Sequence, residues 1–109
     1  MPKLVCIESP WAGLGGGEKA ASYLRDCIRD SISRGEFPIA SHAIWCVAGG
    51  ISDSVEANRF RGMSAGMKFI EVCDLVAVYT DHGISQGMRR AIDYAGVCGK
   101  PIVARRVGV

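Results

Sequence analysis

The stretch CDLVAVYTDHGISQGMRRAIDYAGVCGKPIVARRV, residues 73–107, decides the fold. Residues 74–80 are apolar and β-branched, the composition of a strand buried on both faces. DHGIS, 81–85, reads as a turn. A helix follows over 86–98, with Gly99 as its stop, and 101–105 predict another strand. Strand, helix and strand in this order form a parallel crossover unit.

Upstream, KLVCIE (3–8) predicts a short buried strand, and SPWAGLGGG (9–17) a loop built for close backbone approach. Tyr23, Leu24, Cys27, Ile28 and Ile32 recur at helical spacing and predict a helix over 18–34, stopped by Gly35. Residues 37–43 suggest a second strand, interrupted near its start by Pro38. IWCVAGGIS (44–52) has no readable period. Asp53 or Ser54 would cap a further helix reaching about residue 73, although Gly62 and Gly66 disfavour it. The order β-α-β-α-β-α-β implies one flavodoxin- or Rossmann-like α/β domain over 1–109. It would hold a parallel sheet of about four strands with helices on both faces.

The 109 residues suffice for one small core, and 49% hydrophobic with 22% charged residues is the balance of a folded globule. A net charge of +2 is too small to imply binding to a nucleic-acid duplex. Five widely spaced cysteines without a C-x-x-C pair argue against a disulfide framework or zinc site, and fit a reducing cytoplasm. Neither a signal peptide nor an apolar run of membrane-spanning length is legible, and no cofactor or metal is called for. So small a domain gains stability as a homodimer.

Ligands of open parallel sheets bind beyond the carboxyl ends of the strands, where the strand order reverses. The loops after the first and third strands should flank that point. The first lacks a dinucleotide fingerprint, because Glu18 stands where a glycine is required, and no Walker lysine follows. It still offers Ser9, Pro10, Trp11 and Gly13: backbone for a phosphate or sugar, and an indole to stack on a base. The second offers Gly83, Ser85, Gly87 and Met88, with Ser85 at a helix start whose N–H groups and dipole suit an anion. Serine is equally an ordinary N-cap. Asp81 is the acid best placed to face the pocket, or else a turn residue. His42 and His82 are weaker candidates. Arg89 and Arg90 read as a solvated face, from which one arginine could reach a phosphate. Met63, Met67 and Phe69 read as core or interface.

LVCIESPWAG, EKAASYLRDCIRDSISRGEFPIASHAIW and the opening stretch together resemble the nucleoside 2-deoxyribosyltransferase-like superfamily, above all its small, often phage-encoded members. The most specific part is Ser-x-Gly-Met, a helix, Tyr-Ala and then Gly-Lys-Pro before an apolar strand. The resemblance implies cleavage or exchange of the base–sugar bond of nucleosides or nucleotides, with a helix-borne glutamate attacking the anomeric carbon. It implies that Ser9 and Ser85 hold a 5′-phosphate. The ligand would be a mononucleotide or a cyclic dinucleotide; the latter would fit phage counter-defence against a nucleotide immune signal in the host cytoplasm.

Two positions depart from the pattern. Ala91 stands where the nucleophilic glutamate falls, and Gly66 where a second acid is common. Three accounts of Ala91 follow. The leading one is a nucleotide N-glycosidase disabled by replacement of the glutamate. The second is a natural, non-catalytic binder that sequesters a nucleotide. In the third, another acid such as Asp81, Glu8 or Asp93 takes over. The blandest alternative is an interaction module with a relic pocket.

Overall fold

The computed structural model describes residues 1–52 and 55–108. Strands β1 (Leu4–Glu8), β2 (Phe37–Ile39), β3 (Leu75–Tyr79) and β4 (Ile102–Arg105) alternate with helices α1 (Gly17–Ser33), α2 (Glu56–Val72) and α3 (Gln86–Val97). The strands form one all-parallel sheet in the order β2-β1-β3-β4. The predicted α/β architecture, with four strands and helices on both faces, is therefore present.

Side chains alternate along a strand, so each face of the two central strands has its own core. Val5 and Ile7 of β1 and Leu75, Ala77 and Tyr79 of β3 pack under α1, against Tyr23, Leu24 and Cys27. Cys6, Val76 and Val78 face the other way, toward Ile70 of α2 and Met88 and Ala95 of α3. Asp74 pins the starts of β1 and β3 together. Its carboxylate accepts from the Leu4 N–H at 2.8 Å, and its own N–H donates to the Leu4 carbonyl at 2.8 Å.

Three local readings change. The second strand is only three residues long, and Pro38 is tolerated because β2 is an edge strand. The chain does not stay extended to residue 43; Ala43–Ala48 wind into a wide helical turn. Ile32, expected on the apolar face of α1, is exposed, and Ser31 is buried beside it with its hydroxyl bonded to Glu36 at 2.8 Å. The helix-capping role expected of Asp53 or Ser54 lies outside the described residues. The N-cap position of α2 is Val55, whose side chain makes no capping bond.

On the α1 face, polar groups tie the layers together. The Arg105 guanidinium grips the Glu36 carboxylate through two bonds of 2.8 and 2.7 Å, and Tyr79 donates to Asp30 at 2.7 Å. Tyr23 donates to Asp81 at 2.6 Å, and that carboxylate also accepts from the N–H groups of Val107 at 3.0 Å and Gly108 at 2.8 Å. Asp81 thus fastens the end of the chain to α1. Burial raises its pKa, but these donors more than offset that and hold it at about 2.

Asp81→Asn is expected to lower unfolding stability at neutral pH by about 1–3 kcal/mol, since one acceptor oxygen becomes an NH₂ group facing donors. A carboxylate with a depressed pKa stabilises the fold above its unfolded value of about 4 and loses that contribution as pH falls toward 2. Urea titrations across this window should therefore be flatter for the variant than for the native chain. Identical pH profiles would contradict the role assigned to Asp81.

Candidate functional site

Strand order reverses between β1 and β3, and a cavity of about 310 Å³ opens beyond their carboxyl ends. It is bounded by the loop after β1, the helical turn at 43–48, α2 and the start of α3.

The α3 side is shaped by a helix cap. The Ser85 hydroxyl accepts from the Met88 N–H at 3.2 Å, and the Ser85 N–H points at the Met88 sulfur at 3.4 Å. Accepting uses only an oxygen lone pair, so the Ser85 O–H is still a donor for a ligand. The N–H groups of the first helical turn add the positive end of the helix dipole. Gly87, Met88 and Ala91 continue this wall, with Met88 buried against the sheet. Opposite stands Ser9, only 5% exposed. Gly13 brings the first loop close to α3: a β-carbon there would lie 4.0 Å from that of Ser85.

Trp11 and His42 form the aromatic part of the site. Their rings stack with centroids 5.3 Å apart and planes 15° from parallel. The tight fold of the loop behind Trp11 needs glycine at 16. Its φ is +62°, and a β-carbon would sit 3.3 Å from the indole nitrogen. Trp11, Ala12 and Cys46 are shared with a second hollow of about 520 Å³ along Gly15–Gly17 and Gly50.

The remaining wall comes from α2 and was not legible beforehand. Arg59, Gly62, Met63, Gly66 and Met67 line the cavity, as does Ile70. Gly62 and Gly66 are one turn apart and face the 41–45 segment, and Gly62 lets the helix lie close to it. A β-carbon on Gly62 would meet Trp45 Cδ1 at 3.3 Å, and one on Gly66 would meet the Ser41 hydroxyl at 3.5 Å. Two glycines at this spacing inside a helix were the available signal. Gly66 is a packing position, and Met63 and Met67 belong to the cavity as well as to the helix surface.

Arg59 and Arg90 put two cations on the lining, and Arg90 reaches across to the Met63 sulfur at 3.7 Å. Against them, among the described residues, stands one carboxyl, that of Glu8. Burial raises its pKa, a weak bond from the Cys6 thiol at 3.7 Å lowers it a little, and the result is about 7. Asp81, expected as the acid facing the pocket, is off the cavity wall. It shares the strand parity of Ala77 and Tyr79 and is held by Tyr23 on the α1 side. Asp93 is exposed, Gly83 forms a turn with φ +79°, and Pro10 is buried beneath the first loop; none of them lines the cavity. His82 packs edge-on against Tyr23, away from the site. Among the described residues no group of three His, Cys, Asp or Glu side chains is placed to hold a metal ion, and no helix is long and apolar enough to cross a membrane.

The two α2 glycines differ in what they tolerate. Gly66→Ala gains helix propensity with ordinary contacts and is expected to raise stability by up to about 1 kcal/mol, with the indole near-ultraviolet dichroism unchanged. Gly62→Val displaces Trp45 and should alter that signal. Equal responses of the two variants would contradict the packing described.

No curated protein is similar enough to the chain to count as a match. The profile of a family described as a domain of unknown function, DUF7768, matches residues 3–105. This match spans all four strands and all three helices, and the chain belongs to the DUF7768 family.

Proposed function

We propose that the domain binds a nucleotide in this cavity and that the reaction class associated with the site is hydrolysis of the base–sugar bond. The observation that carries the reading is the pairing, in one hollow at the sheet's switch point, of an anion cradle with an aromatic stack. Ser9, Ser85 and the first turn of α3 would take the phosphate, helped by Arg90. The Trp11–His42 pair would take the base. The second hollow beside Trp11 favours a ligand larger than a mononucleotide, and a cyclic dinucleotide is the candidate of that size.

The resemblance to deoxyribosyltransferases assigns the nucleophile to position 91, where the lining carries a methyl group. A covalent glycosyl intermediate on α3 is closed to this chain. That favours a second reading, a nucleotide-sequestering protein. As for partners, α2 has one buried residue and leaves Phe60 70% exposed, which supports a second copy of the chain packing there.

The test is chromatographic detection of free base. The chain and its Ala91→Glu variant are each incubated with 5′-mononucleotides and with cyclic dinucleotides, and binding is followed by calorimetry. The proposal predicts binding by both forms and at least about tenfold faster base release by Ala91→Glu. Binding without base release from either form supports sequestration. Absence of binding by every nucleotide removes the proposal.

A further inference from the structure

Glu8 has no evident structural task. Four other acids, whose pKa values are lowered where that of Glu8 is raised, each hold something. Asp30 accepts from Tyr79 and Arg34, Glu36 from Arg105 and Ser31, Glu71 from Tyr94 and Lys68, and Asp81 from Tyr23 and two backbone N–H groups. Glu8 sits at the carboxyl end of a central strand, opposite Val78. Among the described residues its one side-chain partner is the Cys6 thiol, and it joins no ion pair. Glu8 is partly buried; withdrawing a carboxyl from water without a cation is costly, and an uncompensated acid in a cleft is the signature of a working group.

Strand parity aims this acid. Val5 and Ile7 point to the α1 layer, so Cys6 and Glu8 point to the layer of α2 and α3. Among the described residues, Glu8 is the one carboxylate on a lining that also includes Ala91, Ile70 and Met88.

We propose, resting on the nucleotide reading above, that Glu8 is the catalytic acid of a direct, non-covalent hydrolysis. In the neutral form, Glu8 donates its proton to the departing base as the C1′–N bond breaks and its electron pair moves to the base. Water forms the new bond to C1′ and gives its surplus proton to solvent, from which the Glu8 carboxylate is reprotonated. Nucleotide and water become free base and sugar phosphate. No enzyme-bound sugar has to be released, so the route needs no nucleophilic carboxylate. This route needs nothing from position 91. Burial in an apolar pocket keeps such a carboxyl protonated near neutral pH. Among the described residues, the other titratable or charged groups around it are Cys6 on β1, His42 and Cys46 on the 43–48 turn and its start, Arg59 on α2 and Arg90 on α3.

The experiment uses the whole chain, Glu8→Gln and Glu8→Asp. Binding of 5′-mononucleotides and cyclic dinucleotides is measured by calorimetry, and base release on the same samples by chromatography. Glu8→Gln removes the acid without changing the side chain's shape, so it should fold and bind within about threefold of the native chain. Its base release should fall at least about 100-fold, the scale of a lost general acid, with partial recovery in Glu8→Asp. The native rate should fall as pH rises through about 7, and the residual Glu8→Gln rate should lose that step. Release by Glu8→Gln within threefold of native overturns the assignment. So does a native chain that binds a nucleotide and releases no base, although the binding reading survives that result. A chain that binds no nucleotide overturns both.

Discussion

Two parallel strands covered by helices on both sides impose a strict alternation: every second residue of β1 and β3 belongs to a different layer of the molecule. The rest of the structure depends on this. It divides the apolar residues into a core under α1 and a core under α2 and α3. It also divides the acids near the carboxyl ends of the strands. Asp81 falls on the α1 side and becomes a fastening for Tyr23 and the chain end, while Glu8 falls on the side of α3 and enters the cavity. A shift of one residue in either strand would exchange these roles, and the two hydrophobic cores with them.

The cavity is built on parts of unequal firmness. Its floor is the sheet, whose central residues are almost wholly inaccessible to solvent. Its α3 side is fixed by the Ser85 cap and by buried Met88 and Ala95. Its α2 side is held by Ile70, by the bond from Tyr94 to Glu71 at 2.5 Å, and by the close seat of Gly62 on Trp45. With one buried residue in seventeen, α2 is the least anchored of the three α-helices and the natural place for adjustment around a ligand.

Much of this was legible in the residues. The apolar runs of β1 and β3 and the spacing of Tyr23, Leu24 and Cys27 announced the elements, and Ser85 ahead of a helical period announced the α3 cap. The loops expected to flank the switch point do so. Other features were hidden for physical reasons. β2 is an edge strand of three residues, too short to show a period. α2 shows almost no amphipathic stripe, because its inner face is glycine and methionine lining a hollow rather than a row of core aliphatics. Asp81 looked better than Glu8 because it stands in the turn that leads to the candidate helix. Only the parity of the paired strands, which depends on where each strand ends, tells the two acids apart.

The proposed ligand lies between the carboxyl ends of β1 and β3 and under α2. Amide chemical-shift mapping of the isotopically labelled chain during titration with a nucleotide tests it most directly. Residues 8–13, the 41–46 segment and 85–91 should shift together and saturate at one stoichiometry, while the amides of Tyr23, Val107 and Gly108 around Asp81 stay in place. Shifts centred on the Asp81 side of the sheet, or none at all at saturating nucleotide, would contradict the account.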